Sequence, residues 1–343
     1  MPDPDAARKP PKRFWLLAPY GAVLLAFILW SAAWLVIRSE VASRLDAVQA
    51  AAQAKGLTLD WDRRSLGGYP FRILVTLEQP RAAEPSGWGA SAPRLEAAAE
   101  AFDLKHWVIV APGGASLLRP HGGAVAIAGR ALRASWVDEG EAAPRVALEG
   151  LDLAFTPGAG ARAFPLARAG RIAVYTRAQP GGRTEARLVL DDAFAAPGTA
   201  LDAALGQTPI ALVWQGLIDA PAAFHGPDAQ AAARAWSAAC GTVTTELGGA
   251  AAGGKSLGVR TSRLSLGADG RLTGSASLQV RGGPEALRGL GASGVLNPRA
   301  SGLAGAVLAA RQGPDGKARV DLDFRAGRIW RGPIALAASP RPF

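Results

Sequence analysis

The chain has 343 residues and is 49% hydrophobic, enough for one large or two ordinary domains with a sizeable core. Its 42 glycines and 25 prolines favour short strands joined by turns over helices, yet stay below the level of a disordered chain. The net charge of +10 suits an anionic surface or reflects arginines scattered over solvated faces; no dense basic run and no recognition-helix, zinc or aromatic-platform motif supports nucleic acid as a partner.

Residues 1–13 read as a cytoplasmic tail. Phe14 to Ile37, FWLLAPYGAVLLAFILWSAAWLVI, holds 24 residues without a charge. At 1.5 Å per residue it reaches about 36 Å, enough to cross a bilayer with some tilt. Phe14 and Trp15 at one end and Trp30 and Trp34 at the other are placed as interface aromatics. Arg8, Lys9, Lys12 and Arg13 precede the span, which keeps the N-terminus cytoplasmic and puts the rest across the inner membrane, in the periplasm of a Gram-negative cell. Ser31 and Ala33 form a weak small-x-small site, but the apolar run far exceeds a signal-peptide core. An uncleaved anchor is expected.

Residues 38–55 continue as a helical stalk, with Val41, Leu45, Val48 and Ala52 on one stripe and Gly56 as a stop. From 56 to 343 the apolar period becomes two. Phe71, Ile73, Val75 and Leu77 alternate with Arg72, Thr76 and Glu78, with Leu74 the exception. Similar runs recur at 101–111, 124–137, 145–155, 171–178, 185–191, 210–215, 256–266, 271–281 and 317–336. Turn signals such as Pro180-Gly181-Gly182 and Asp269-Gly270 separate them. This predicts a mostly β periplasmic domain, an antiparallel curved sheet or open sandwich with a few short helices at 227–239, 284–290 and 302–311. In Phe102–Val110 both faces are apolar. That fits either a strand buried between two layers or a curved sheet whose inner face is an apolar groove.

Gly249 to Ser256 matches the phosphate-loop pattern G-x-x-x-x-G-K-S. A working loop needs a strand before it and a helix after it. Here LGVRTSRLSLG follows, with a strand period. The match is expected to be a chance one inside a flexible Gly/Ala loop, and no nucleotide or other cofactor is expected. His106, His121 and His225 share no ligand spacing, so no metal site is expected. His106 reads as a satisfied buried side chain. Cys240, the single cysteine, excludes an internal disulfide and reads as a small buried residue without a nearby base. Asp321 and Asp323 fall on the solvent face of one strand. No catalytic residue emerges, and a non-enzymatic protein is expected.

Several segments have a familiar cadence: RSLGGYPFRI (64–73), AWSAACGTVTTELGG (235–249), LSLGADGRLTGSASLQVRG (264–282) and VDLDFRAGRIWRGPIALAASP (320–340). In their order they resemble the single-pass alphaproteobacterial family numbered as domain of unknown function 2125. More loosely, the chain is similar to AsmA-like envelope proteins. The resemblance implies no catalytic residues, only turn and packing positions: Gly67, Gly68, Pro70 and Arg72, then Trp236 and Gly241, then Gly327, Gly332 and Pro333. Cys240 stands where a second glycine would suit the pattern. The looser likeness implies envelope lipid homeostasis through an apolar β-groove, with the phospholipid bilayer and a lipid ligand as partners. A scaffold that pairs its sheet edge with another envelope protein is the alternative.

Overall fold

The computed structural model describes residues 14–140 and 143–340, and not the side chains of 14–17, 300, 334, 336 and 337. The N-terminal tail and the side chains of Phe14 and Trp15 thus lie outside the described residues.

Helix α1 (Phe14–Ala54) runs unbroken for 41 residues, with Pro19 early enough to spare most of its hydrogen bonds. It ends where Gly56 takes a φ of 75°. Gly56 N–H donates to Gln53 O and Leu57 N–H to Ala52 O, the paired closure that a left-handed residue makes possible. From Ala18 the helix is long and apolar enough to cross a membrane. Its second half does not stand clear of the rest as a free stalk. Trp34 and Val41 are buried against Ile73, Val75 and Leu77 of the sheet.

Every strand joins one open antiparallel sheet of twenty strands. The first ten combine into five bent strands: β1 (Thr58–Asp60) with β2 (Arg63–Gly67), β3 (Arg72–Glu78) with β4 (Arg81–Ala83), β5 (Gly89–Ser91) with β6 (Arg94–Glu100), β7 (Asp103–Val110) with β8 (Ala115–Arg119), and β9 (Gly123–Ala128) with β10 (Ala131–Val137). The long strands β11 (Arg145–Pro157), β12 (Leu166–Gln179) and β13 (Arg183–Ala195) follow. Then come β14 (Ile210–Ile218), β15 (Val243–Ala252), β16 (Lys255–Leu266), β17 (Leu272–Arg281), β18 (Lys317–Arg325), β19 (Arg328–Arg331) and β20 (Ile334–Ala338). With each bent pair counted as one strand, every strand pairs with its neighbours in sequence, so the sheet is a continuous meander.

Helices interrupt only at turns: α2 (Ala200–Leu205), α3 (Ala229–Ala238) after a 3₁₀ turn at Pro221–Ala223, α4 (Gly283–Ala292) and α5 (Pro298–Ala309). Helix α2 was not expected from the sequence. Six residues are too few to show a helical period, although Thr199 caps it by accepting from Asp202 N–H.

The register sorts the alternating residues onto two sides. One row crosses the sheet through Leu66, Val75, Ala97, Ile109, Ala134, Leu148 and Val174, then Leu188, Trp214, Gly248, Val259, Leu278 and Val320. Every member is apolar, and at about 4.8 Å between strands the row runs on the order of 55–60 Å. The adjacent row on the other side includes Arg133, Glu149, Gln279 and Arg319. No second layer covers that side at β7, where Val108 is exposed. A sandwich is thereby excluded there.

The sheet bends along a line marked by left-handed residues, Gln79 (φ 51°), Asp152 (φ 52°) and Asp192 (φ 48°). Such a residue shifts the alternation by one. In β11 the apolar side carries Val146 and Leu148 before Asp152, and Leu153 and Phe155 after it. Leu132, Ile172 and Leu190 accordingly pack against the cluster of Leu153, Phe155, Val125 and Ile210, which Leu201 and Leu205 of α2 also cover. The bend folds the β4–β5 end back over the apolar side. There Glu84 accepts a hydrogen bond from Ala229 N–H at the start of α3, at 3.0 Å.

Candidate functional site

The apolar row is open in the middle and roofed at intervals. Leu148 is 47% exposed, and no helix covers it. Over β13–β17 the 3₁₀ turn and α3 roof a cavity of about 630 Å³. Its floor is Thr184, Ile218, Trp214, Val243, Thr245 and Leu264, and its roof is Pro221, Phe224 and Trp236. The cavity follows from period-two sequence: each floor residue sits on the apolar side of its strand, and the long β14–β15 connection returns as a helix above them.

The few polar atoms of the cavity are tied down. Trp214 Nε1 donates to Thr245 Oγ1 at 3.0 Å, and Ser262 Oγ to the same oxygen at 2.7 Å. Trp236 Nε1 donates to Asp219 O at 2.8 Å. Thr184 Oγ1 alone is different. Among the described residues it is a buried side-chain oxygen without a partner, which is costly unless something else supplies one. The composition of this cleft suits an apolar group with little polar content.

The opposite side carries charged residues, and its carboxylates Glu149 and Glu185 are paired with arginines. Glu149 accepts from Arg133 and, at 2.9 Å, from Arg171 Nε. The hydrogen bond from Arg133 is the first cause holding its carboxyl below the usual value; the charges of both arginines and the Arg171 bond add to it, while burial opposes. Glu185 accepts from Arg177, Gln179 and Gln215. These carboxylates are engaged with arginine or amide donors. Among the described residues no group of three His, Cys, Asp or Glu is placed to hold a metal ion.

The phosphate-loop match is a β-hairpin. Gly249, Ala250, Ala251 and Ala252 pair with Gly258, Leu257, Ser256 and Lys255, so the turn is only Gly253-Gly254. The segment is ordered ladder where a flexible loop was expected, because short alanines pair as readily as longer residues once neighbouring strands are in place. Lys255 Nζ donates to Ala204 O at the end of α2, at 2.8 Å.

Two further expectations are corrected. His106 is exposed, with Nε2 3.3 Å from Ser135 Oγ, because it lies on the charged side of β7 opposite Trp107. Cys240 is exposed as well. It adopts φ 55° at the end of α3, the conformation that favours glycine.

The motif positions gather at three places. Gly67, Gly68, Pro70 and Arg72 form the turn that meets α1. There Trp30 Nε1 donates to Pro70 O (3.0 Å) and Trp34 Nε1 to Arg72 O (2.9 Å). Gly68 has φ 95°, and a Cβ there would stand 2.7 Å from Arg72 O. The two tryptophans read as interface aromatics thus turn toward the sheet. Trp236 and Gly241 meet in the cavity roof, where a Cβ on Gly241 would overlap the indole. Gly327 (φ 68°), Gly332 (φ 57°) and Pro333 shape the last two turns. Sequence reasoning missed Thr184, Trp214 and Leu264 as one site; their alternation was visible, but which strands neighbour one another was not.

Fold and site together define a chain with one long apolar helix docked on an open antiparallel meander whose apolar side carries a roofed cavity. The chain belongs to the family described as uncharacterized protein conserved in bacteria (DUF2125), whose sequence profile matches residues 34–340. No curated protein matches the chain, and no solved structure does.

Proposed function

We propose that this is a non-enzymatic protein of the bacterial cell envelope that handles lipid. In this reading α1 spans the inner membrane with its N-terminus in the cytoplasm, and the β domain lies in the periplasm. The cavity beneath α3, continuous with the apolar row, receives an acyl chain. The observation that carries the reading is the cavity of about 630 Å³ walled by Trp214, Trp236, Val243 and Leu264. A partly roofed apolar cleft of that size on an otherwise open sheet suits an extended hydrocarbon chain. The looser likeness to AsmA-like envelope proteins points the same way. Engaged carboxylates and a hairpin in place of a phosphate loop favour a binding role over catalysis.

The test is native mass spectrometry with lipid extraction on the full chain purified in detergent. Phospholipid is expected to co-purify and to be lost in Leu264→Asp, while Arg187→Asp on the charged side retains it. A lipid-free chain from several membrane-rich preparations overturns the reading.

One observation favours a second reading. Among the described residues strand β20 pairs only with β19, which leaves its other backbone edge open to a strand from another envelope protein. Crosslinking from that edge in cells, absent when a proline is placed in β20, would support it.

A further inference from the structure

The depth at which α1 leaves the membrane is set by its own length. Arg13 is the last charge before the span. A hydrocarbon core of about 30 Å takes about 20 helical residues, and counted from Phe14 these end at Ala33. The sheet already touches the helix within that stretch. Pro70 accepts from Trp30, and the Tyr69 hydroxyl lies 2.8 Å from Ser31 Oγ. The Tyr69 ring packs edge-on against Phe27 at 6.4 Å and Trp34 at 5.3 Å between centroids. The turn 68–71 is therefore level with the last turns of the span.

A second turn is tied to it, since Ala101 N–H donates to Phe71 O at 2.8 Å. These two neighbouring turns present three exposed aromatics: Tyr69 at 45%, Phe71 at 62% and Phe102 at 73%. Single exposed apolar residues are ordinary. Three on adjacent turns, at the level where a spanning helix leaves hydrocarbon, are not scattered.

We infer that the β domain docks on the bilayer surface through Tyr69, Phe71 and Phe102, which insert at head-group depth beside α1. Large aromatic side chains partition there because one part is apolar and the interface is wet. Helix and turns are held together by Trp30 and Trp34, so the domain cannot lift away without breaking those contacts. The apolar row then begins, at Leu66 and Val75, close above the membrane. The inference rests on α1 spanning the bilayer, and not on what the cavity holds.

The experiment uses the full chain carrying Cys240→Gly, with one new cysteine at a time labelled by an environment-sensitive fluorophore. The variants are Phe102→Cys and Phe71→Cys on the docking turns, Leu24→Cys in the span, and Ser86→Cys at the opposite end of the same strands. Each is reconstituted in phosphatidylethanolamine/phosphatidylglycerol nanodiscs with lipid bearing a nitroxide near the top of the acyl chain or, for Leu24→Cys at mid-bilayer, near its end. A blue shift and loss of emission are expected at Phe102, Phe71 and Leu24, with Ser86 unchanged. Quenching at Leu24 with both turn positions as water-exposed as Ser86 overturns the docking. Loss of quenching at Leu24 itself overturns the spanning helix instead, so the two failures are distinguishable.

Discussion

The indole N–H of Trp34 donates to the backbone carbonyl of Arg72 at 2.9 Å, joining the apolar helix to the first full strand of the sheet. Trp34 is only 6% exposed and packs with Ile73, Val75 and Ala101. A helix composed like a membrane span is thus also part of a core.

Replacing that side chain tests the joint. Trp34→Ala is expected to destabilise the β domain by about 3–5 kcal/mol through the cavity it leaves. Trp34→Phe keeps most of the ring and loses the hydrogen bond, for about 1 kcal/mol. Urea unfolding of the full chain in detergent, followed by near-ultraviolet dichroism, measures both. Equal effects of the two substitutions would show that ring packing contributes little.

At the end of α3 two adjacent positions respond oppositely. Cys240 occupies a left-handed conformation, so Cys240→Gly is expected to stabilise by about 1 kcal/mol. Gly241→Ala drives a methyl into the Trp236 indole and is expected to cost about 1–3 kcal/mol. Thermal melts of the two variants decide it. A neutral Gly241→Ala would mean that the cavity roof moves freely.

Glu149 makes stability depend on acidity. Its native pKa lies below the ordinary 4.5, chiefly through the Arg133 hydrogen bond. A lowered native value stabilises the fold above the unfolded pKa, and that contribution is lost as pH falls through the native one. Glu149→Gln is therefore expected to be less stable than the parent at pH 7, with the gap closing below about pH 4.5, near where an unfolded glutamate titrates. Denaturant midpoints across pH 3–7 give the measurement; a gap independent of pH would refute the ion-pair account.

Lys255 spends its ammonium on the last turn of α2. Lys255→Ala is expected to lower the melting temperature, while adding magnesium-ATP moves neither parent nor variant. A melting shift with nucleotide in the parent, abolished in Lys255→Ala, would restore the phosphate-loop reading of 249–256.

Much of this was legible in the chain itself. The charge-free run from Phe14 to Ile37 determines a membrane-length helix, because helical rise and the greasiness of each residue are local properties. The period of two after Gly56 determines an antiparallel β domain for the same reason: alternation needs no knowledge of neighbours. Gly68, Gly327 and Gly332 were readable as turns, since a positive φ is a local demand. What only the tertiary structure decided is which strands lie side by side. That pairing aligned the apolar residues from Leu66 to Val320 into one row. It placed Trp236 over Leu264 to roof a cleft, and it joined Trp30 and Trp34 to the carbonyls of Pro70 and Arg72. Those outcomes depend on contacts between residues tens to hundreds of positions apart, formed at the cost of chain entropy, and no local pattern encodes them.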